Sequence, residues 1–504
     1  MALKDRHPRY TALYSDWQLC RDCVAGERQV KSRRTEYLPA TSGMIFDGMD
    51  NPNQPGSKAY ESYLTRAVFP AYQREAVEHM LGIMHAKPPK IELPKALEPM
   101  LERASIDNES MAHLLKRING EQLTIGRVGL LLDMPDRPTV EGPNLYIALY
   151  RGETIINWDS TMAGSDRPVL NLVVLDESRY ERDSTFRWEL TERYRVLTLG
   201  DPDDNEPTGV YAQGLFSAKD SLDFNPVAMR SPNIRGNTLD EIPFEFINSK
   251  DTLTDPDEPP LLGLANLCMT VYRGEADYRQ NLFMQGQDTL VVIGAPDSDD
   301  HRVGAGARLD LPANADAKYI GVQSQGLTEQ RLSLENDRGR AAQMSGQLAT
   351  AKSKQIESGE ALQTRIAAAT ANLNSIAISG AAGLQNLLRK AAKWIGADPD
   401  QVKVIPNLEF EGLSFAPRDL VELMSAKTMG APLSVKSIHQ VLAEKGYTRL
   451  DLETELAEIE GEEPLGTSIM DATGGTQGSQ NVPGSDPSKD PPVDPKGDVK
   501  NNGK

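Results

Sequence analysis

A long helical pattern without a central charge is the strongest constraint in this sequence. No charged side chain lies between Arg365 and Arg389, which is typical of a helix buried in lipid or in protein. The apolar residues of Ile366–Leu388 are mostly alanines, and four amides lie among them: Asn372, Asn374, Gln385 and Asn386. Because amides in the middle of a bilayer are unfavourable, the composition favours a helix packed against protein over a membrane span.

The same segment has the periodicity of a closely packed helix. Apolar and small residues recur at alternating three- and four-residue steps: Leu362, Ile366, Ala369, Leu373, Ile376, Gly380, Gly383, Leu387, Ala391 and Trp394. This heptad-like seam of small residues is typical of helices that meet in a bundle or an assembly. About 36 residues of helix would span about 54 Å. The dipeptide at 379–380, Ser-Gly, predicts a kink.

Charge and cysteine content restrict the class of protein. The 504-residue chain carries a formal net charge of −19. An acidic chain does not hold DNA by broad neutralisation of phosphates, although it can surround DNA where weak or repulsive contact suits its function. Three cysteines, an odd and sparse number, do not form a disulfide framework and fit a reducing compartment. The N-terminus has no apolar signal region.

The order of sequence patterns predicts an α+β protein. The N-terminal part has helical patterns over 8–36, 60–85 and 108–119, with a loop expected at 40–57, and Pro70 should kink or split the second helix. Seven short apolar or alternating segments follow, separated by acidic or Gly/Pro turns. Helices followed by a run of short strands favour a mostly antiparallel sheet.

Two further helical patterns differ in their apolar surface. The first begins at Pro259 and Pro260, a favourable place for proline, and has a full apolar stripe. The second, over about 327–349, has apolar residues spaced by seven: Leu327, Leu334, Ala341 and Leu348. So thin a stripe is too little for a monomer core, and it is typical of a helix packed in a ring or a bundle.

No residue set in the sequence supports catalysis. Cys20 and Cys23 have the spacing of a metal or redox pair, but no second pair is present, so we interpret them as small apolar residues of a helix. Acidic runs near 201–204 and 297–300 lack the glycine and distal glutamate of a calcium loop and are interpreted as turns. The histidines are scattered, and no phosphate-binding loop is present. We therefore expect a non-enzymatic protein without a metal or a cofactor.

A loop with two lysines joins the thin-striped helix to the long neutral helix. Lys352 and Lys354 lie in the segment ATAKSKQIESGEA. One interpretation is a solvated hairpin tip, and the other is a loop that projects into a channel and touches a phosphate backbone. The sequence leaves both open. The acidic segment 451–463 is interpreted as a solvated helix face.

Several stretches are collinear with those of a known family over about residues 10–425. They are WQLCRDCVAGERQVK, TEYLPA, YLTRAVF, KPPKIELP, GRVGLLLDMP, LYRGETIINW and PPLLGLANLCMTVYRGEADYRQNLF. In these stretches and in the order of its elements, the chain resembles the portal (head-to-tail connector) proteins of tailed bacteriophages. It most resembles a branch catalogued only as a domain of unknown function.

The resemblance implies the phage portal fold, with an α/β wing, a helical stem, a small β-containing clip, a long kinked helix and a helical crown. The parts would be the wing at 1–258, stem helices at 259–286 and 326–349, the clip at 287–325, the tunnel loop at 350–360, the long wing helix at 361–401, the wing strand at 402–415, the crown at 416–463 and a disordered tail at 464–504. The small-residue seam of the long helix would then form a wall shared between subunits.

The resemblance also implies a function and partners. A homo-oligomeric ring, usually a dodecamer, would occupy the portal vertex of the capsid in the virion, after assembly in the host cytoplasm. Double-stranded DNA would be packaged and later ejected through its channel. The expected partners are the major capsid protein, the terminase large subunit and a head-completion or adaptor protein, with no membrane. At −19 per copy, the ring would present DNA with a mostly repulsive wall.

Two sets of contact residues follow from the resemblance. The tunnel loop would line the DNA channel with Lys352, Ser353, Lys354, Gln355, Glu357 and Ser358. The clip would contact terminase or the adaptor through Asp297, Asp299, Asp300, Arg302 and Arg308. Two alternatives stay open: a virion ring or assembly protein that does not surround DNA, and a membrane protein built on Ile366–Leu388.

Overall fold

The structure is a computed structural model that describes most of the first 408 residues and parts of the C-terminal region. The described residues are 3–135, 145–161, 168–199, 209–217, 229–234, 236–285, 289–294, 314, 316–320, 325–345, 359–408, 424–425, 427–430, 434–444, 448 and 450–461. The chain divides into two compact units, Met1–Phe410 and Glu411–Lys504.

Helices dominate the N-terminal part of the first unit. They are α1 (Pro8–Ala25), α2 (Glu27–Ser32), α3 (Ser42–Phe46), α4 (Pro55–Arg66), α5 (Tyr72–Met84) and α6 (Met111–Ile125). Pro70 divides the second predicted helix, as expected, whereas the first is broken at Gly26, whose φ of +89° favours glycine. The segment predicted as loop at 40–57 contains α3 and the start of α4.

All strand pairs in the described ranges are antiparallel. The strands are β1 (Lys90–Glu92), β2 (Arg127–Asp133), β3 (Tyr146–Arg151), β4 (Ile155–Thr161), β5 (Val169–Asp176), β6 (Arg179–Arg182), β7 (Trp188–Thr191), β8 (Arg193–Leu199), β9 (Tyr211–Ser217), β10 (Phe244–Asn248), β11 (Thr289–Ile293), β12 (Asp316–Ile320) and β13 (Lys403–Ile405). They form two larger sheets, β10-β2-β3 and β4-β5-β8-β9, and the ribbons β1-β13, β6-β7 and β11-β12. The predicted α+β class is confirmed.

Three long helices complete the first unit: α7 (Leu262–Gln285), α8 (Gln325–Met344) and α9 (Gly359–Ile395). α9 has 37 residues, which is about 55 Å of helix. It is helical without a break across Ser379 and Gly380, and a bend there stays a prediction. After α9 the chain returns to the N-terminal part, because β13 pairs with β1, with Val404 opposite Ile91.

One contiguous apolar core joins the helices to the sheets. It includes residues of α1, α4, α6, α7 and α9 together with β2, β8 and β10. Trp17 on α1 and Trp394 on α9 are fully buried in it. Because Trp17 and Trp394 are buried in one core, α9 cannot leave the N-terminal part without a large loss of apolar contact.

The second unit contains two described helices, α10 (Val435–Glu444) and α11 (Leu452–Gly461). Asp451 caps α11 by accepting from the Thr454 N–H at 2.7 Å, and this bond lowers the pKa of the Asp451 carboxyl. His439 Nε2 on α10 lies 3.9 Å from a Glu455 oxygen on α11. The sequence predicts three short helices in this region, in APRDLVELMSAKTMG, SVKSIHQVLAEKG and TRLDLETELAEIEGEE, and the last two are present as α10 and α11.

Candidate functional site

Helices α7 and α8 form an antiparallel hairpin. Leu334 packs on Gly274, where an added Cβ atom would lie 3.0 Å from the leucine Cδ2. Toward one end, the Asn281 amide donates to the Gln330 amide oxygen at 3.0 Å. Glycine at position 274 therefore lets the two helices approach closely where the larger Leu334 faces it.

Only one side of α8 is buried. Among its described side chains Leu334 and Ala341 are buried, Leu327 is half-buried, and Leu348 lies outside the described residues. The predicted spacing of seven is therefore confirmed where it can be observed. Leu332 is 43% exposed on the remaining surface of the helix, whereas Met344, 48% exposed, lies beside Gly263 of α7. The structure adds the identity of the main partner, which is α7 of the same chain.

A buried carboxylate fixes the register of this hairpin. Glu275 on α7 is 3% exposed. It accepts a bond from Arg279 Nε at 2.6 Å and a second from Arg338 Nη2 on α8. Because loss of either partner would leave a buried charge less well compensated, these three side chains favour a single alignment of the two helices.

The C-terminal half of α7 is tied to α4. The Tyr63 hydroxyl donates to Asp277 Oδ1 at 2.5 Å, and burial together with this carboxylate raises the pKa of Tyr63 well above its usual value. Arg66 stacks over the Phe283 ring, 4.0 Å from its centroid, and donates to the Gln280 side chain. Three positions spaced by three on α7 thus contact one helix, so the hairpin leaves the N-terminal helices in a fixed direction.

The ribbon β11-β12 lies between the two helices of the hairpin in the sequence. Its register runs from Thr289 opposite Ile320 to Ile293 opposite Asp316. Within the described residues it pairs with no third strand, and Ile293 is exposed. Two strands alone are marginally stable in water, so we expect the ribbon to gain stability from further contacts in an assembly.

The small residues of α9 serve contacts inside the chain. An added Cβ atom at Gly383 would lie 2.3 Å from Ile247 Cγ1, and one at Gly380 would lie 2.5 Å from Asn119 Nδ2. Ser379 Oγ donates to the Asn248 carbonyl oxygen at 2.7 Å. The expectation of a wall shared between subunits is therefore wrong for this part of the seam, which packs on α6 and β10. Among the described helices, none is long and apolar enough to cross a membrane.

A buried arginine at the start of β2 links the sheet β10-β2-β3 to the loop before α7. The Arg127 guanidinium carbon lies 4.4 Å from the ring centroid of Trp158 and 4.3 Å from that of Phe246. Its Nη1 donates to the Thr254 carbonyl oxygen at 2.8 Å, in the loop that leads to α7. Burial lowers the pKa of Arg127 to about 9. The sequence did not reveal this site, because one arginine at a strand start carries no signal until its ring partners are known.

The three cysteines are buried in the core. Burial raises the pKa of Cys20 to about 12 and that of Cys268 to about 11, and it raises the pKa of Cys23 as well. Thiols with such pKa values stay protonated at neutral pH, so Cys20 and Cys23 pack as small apolar residues, as predicted. In the described parts of the chain no group of three His, Cys, Asp or Glu side chains could hold a metal ion.

The residues predicted to contact DNA and the packaging motor lie outside the described residues. They are Lys352, Ser353, Lys354, Gln355, Glu357 and Ser358 of the tunnel loop, and Asp297, Asp299, Asp300, Arg302 and Arg308 of the clip. The structure describes the elements on either side, namely β11 and β12 for the clip and α8 and α9 for the loop. These site assignments and the division into wing, stem, clip and crown stay predictions.

Comparison with known proteins gives one family match. Residues 260–395 match the profile of a family described as a domain of unknown function (DUF4055). This segment, about a quarter of the chain, runs from just before α7 to the end of α9. The match agrees with the resemblance to a branch catalogued only as a domain of unknown function. No curated protein matches the chain.

Solved structures of gene transfer agent particles are similar to the chain at a low level. The virion of a native gene transfer agent (GTA) particle matches with 14% identity over 80% of this chain and 99% of that chain, at a TM-score of 0.40. The neck of the native particle matches with 14% identity over 74% of this chain and 89% of that chain, at 0.38. TM-scores below 0.5 do not establish a common fold.

Proposed function

We propose that this chain is a portal protein, whose copies form a ring at one capsid vertex through which double-stranded DNA enters and leaves. The observation that carries the proposal is the order of elements in residues 260–395: an antiparallel hairpin, α7–α8, interrupted by the two-stranded ribbon β11-β12 and followed by one 37-residue helix. In this proposal the hairpin is the stem, the ribbon belongs to the clip and α9 belongs to the wing. The role is non-enzymatic.

The exposed side of α8 supports assembly into a ring. Leu332 lies on this side, and the buried stripe against α7 is only one residue wide at each turn. In a cyclic assembly each copy presents one face to a different face of the next copy. A neighbouring hairpin would therefore cover the side of α8 that a single chain leaves in water.

The ties between α7 and the N-terminal helices suit a protein that bears mechanical load. A motor that drives DNA through a ring also pushes on the ring, so the stem must keep its direction. The Tyr63–Asp277 and Arg66–Phe283 contacts fix α7 on α4, and Glu275 fixes α8 on α7. The terminase large subunit, and later an adaptor protein, would dock at the clip at the end of this rigid stem, with the major capsid protein around the ring.

The hairpin has balanced charges although the chain is acidic. α7 and α8 together carry five arginines and five carboxylates, in a chain with a net charge of −19. With these helices along the DNA path, repulsion of phosphates would arise from other parts of the ring. The tunnel-loop lysines, Lys352 and Lys354, would then supply weak phosphate contacts whose strength falls as salt rises.

Electron microscopy of the purified chain tests the proposal. We expect rings with a central opening wide enough for a DNA duplex. A chain that stays monomeric under every assembly condition would contradict the portal function. Rings whose opening is too narrow for a duplex would instead favour a virion ring that does not surround DNA.

Charge reversal tests the role of the tunnel loop. Lys352→Glu with Lys354→Glu should impair DNA packaging or retention while rings stay intact, because repulsion replaces transient phosphate contacts. The matched control is Lys58→Glu with Lys95→Glu, which makes the same change of net charge at two exposed positions of the N-terminal part. Equal amounts of packaged DNA with the two double variants would contradict the proposed role of the loop.

A further inference from the structure

A β-ribbon continues beyond the four-stranded sheet. β5 and β8 pair as far as Asp176 opposite Tyr194, and the chain then continues into the hairpin β6-β7. Its turn is closed by the Asp183 N–H, which donates to the Arg187 carbonyl oxygen at 3.0 Å. In the part of the chain that the structure describes, the hairpin pairs with no further strand. It is thus an extension whose sides both face solvent.

The two faces of this ribbon differ in character. Residues opposite one another, and residues two apart, share a face. One face is charged, and its charges form ion pairs with one another: Glu181 pairs with Arg179 at 2.9 Å and with Arg193 at 2.8 Å. The other face pairs Tyr180 with Leu190 and Arg182 with Trp188.

The second face is apolar and bare. Tyr180 is 67% exposed, Trp188 is 62% exposed, and Phe186 in the adjoining turn is 91% exposed. Aromatic residues and arginine are the side chains that dominate binding energy at protein interfaces. A cluster of this kind, with Arg182 beside Trp188, is therefore expected to be covered in an assembly.

A second exposed apolar site, called here the turn after α3, consists of the last two residues of α3 and the turn that follows them. Ile45 is 60% exposed and Phe46 is 91% exposed. Their backbone is held rigidly, because the Gly56 N–H donates to the Asp47 carbonyl oxygen at 3.1 Å. An added Cβ atom at Gly56 would lie 2.2 Å from the Met44 carbonyl oxygen, so the start of α4 packs directly on this turn. The backbone that carries Phe46 is therefore fixed, which lowers the entropic cost of binding.

The charges beside the two sites are opposite. Asp47 directly follows Phe46 and Asp50 lies in the same turn; both are exposed, and neither forms an ion pair with any described residue. Arg182 on the ribbon is exposed and likewise has no ion-pair partner in the described ranges. Each site thus offers bare aromatic surface with an unpaired charge that complements the other. Both remain exposed in a single chain, so they can satisfy each other only between copies.

We propose that the ribbon β6-β7 of one copy docks on the turn after α3 of the next copy. Trp188 and Tyr180 would pack on Phe46, and Arg182 would face Asp47 and Asp50. Because the contact joins two different surfaces, it propagates around a ring instead of closing a dimer. The inference rests on the proposed ring and identifies one of its subunit contacts.

Disulfide cross-linking in the full chain tests this contact. Leu190→Cys combined with Ile45→Cys places thiols beside the two sites and keeps Trp188 and Phe46. The natural cysteines are buried and do not compete. Under mild oxidation we expect a ladder of covalent multimers on non-reducing gels, which a reductant converts to monomers. The control pair, Leu215→Cys with Ile45→Cys, uses a position on β9 that is similarly exposed, at 49%, and should give no ladder.

Charge reversal gives a second readout. Arg182→Asp should raise the protein concentration needed for ring formation about tenfold. Asp47→Arg with Asp50→Arg should do the same, and the triple variant should recover a large part of the loss, because the charges are exchanged across the contact. All these positions are exposed, so the fold of the single chain is expected to be unchanged.

The outcomes separate this contact from the portal function. Rings that form without the ladder and tolerate Arg182→Asp would overturn the contact and leave the ring standing, with the ribbon assigned to another protein of the particle. A chain that stays monomeric and gives no ladder at any concentration would overturn both. Cross-linked open chains without rings would support the contact and count against the portal function.

Discussion

The substitution Gly383→Ala adds one methyl group and tests whether the small residues of α9 pack on β10 of the same chain. The new Cβ atom would lie 2.3 Å from Cγ1 and 2.5 Å from Cδ1 of Ile247, about 1 Å closer than an ordinary carbon contact. Ile247 is fully buried on β10 and cannot move away without a shift of the sheet. Overpacking of this kind costs about 1–3 kcal/mol, whereas alanine in a helix interior gains about 1 kcal/mol over glycine.

Gly82→Ala on α5 isolates the packing cost. Gly82 also lies inside a helix, and an added methyl group there has no atom within 4 Å. We expect Gly82→Ala to raise the free energy of unfolding by about 0.5–1 kcal/mol. Gly383→Ala should fall about 1–3 kcal/mol below that control, because the gain in helix propensity is common to both. Urea unfolding followed by tryptophan fluorescence measures this, since Trp17, Trp158 and Trp394 are buried in the same unit.

Removing the clash from the other side completes the test. Ile247→Ala alone should cost about 2–5 kcal/mol through the cavity it leaves. In the double variant the methyl group at position 383 fills part of that cavity, so the two costs should be clearly less than additive. Equal stability of Gly383→Ala and Gly82→Ala, or strict additivity with Ile247→Ala, would refute the packing of α9 on β10. Unchanged unfolding with disrupted rings would place the seam between subunits instead.

Three further predictions concern buried polar groups. Glu275→Gln should lower the free energy of unfolding by about 1–3 kcal/mol, because Arg279 and Arg338 lose a charged acceptor. The control Glu335→Gln, at an exposed pair with Arg331, should change the free energy of unfolding by less than about 0.5 kcal/mol in the same urea assay. Equal effects of the two substitutions would contradict the hairpin register. The three thiols are buried and have raised pKa values, so they should not react with an aromatic disulfide reagent at pH 8 in the folded chain. All three should react in guanidinium. One rapidly reacting thiol in the folded chain would contradict their burial. Burial raises the pKa of Tyr63 and Tyr150 above the ordinary 10.0, so the folded chain keeps protons that the unfolded chain releases. The free energy of unfolding should therefore be steady below about pH 10 and fall above it. A free energy of unfolding that stays flat or rises between about pH 10 and 11 would disprove the raised pKa values.

Element types were predictable from local patterns, whereas some boundaries depended on distant contacts. Pro70 divides two helices for a reason contained in the residue itself. The break at Gly26 is different, because it is stabilised by Arg74, whose Nε donates to the Val24 carbonyl oxygen at 2.8 Å. A contact between residues 50 positions apart leaves no periodic signal in the sequence.

The end of α6 shows a second limit of local patterns. The segment LTIGRVGLLLDMP, at 123–135, predicts one mostly buried strand, whose first residues Leu123, Thr124 and Ile125 are apolar or β-branched. In the structure they form the last turn of α6, and Gly126, with φ of +80°, ends the helix and permits β2 to begin at Arg127. Short apolar runs fit either a buried strand or a buried helix, and only packing decides between them.

The candidate site was predictable in its need for partners but not in their identity. The spacing of seven on α8 predicts a one-sided contact, and Leu334 and Ala341 make it. That Gly274 receives Leu334, and that Glu275 pairs with Arg338, depends on the alignment of two helices separated in the sequence by the segment that carries β11 and β12. Of the ribbon β6-β7, the second strand is predicted by the segment FRWEL, whereas the first was missed because RYER carries too few apolar residues to give an alternating pattern.

Both helices with heptad-like spacing were expected to contact neighbouring copies, but in the described part of the chain only α8 keeps a side free for such a contact, and this changes how a ring would be held. α9 has the stronger pattern, yet between Ser379 and Gly383 its small residues pack on α6 and β10 of the same chain. α8 has the weaker pattern and keeps a free side. Contacts between copies would therefore come from the stem and, separately, from the ribbon and the turn after α3. Two separate contacts between the same subunits act together through effective concentration, so loss of one should weaken a ring at low concentration without preventing it at high concentration.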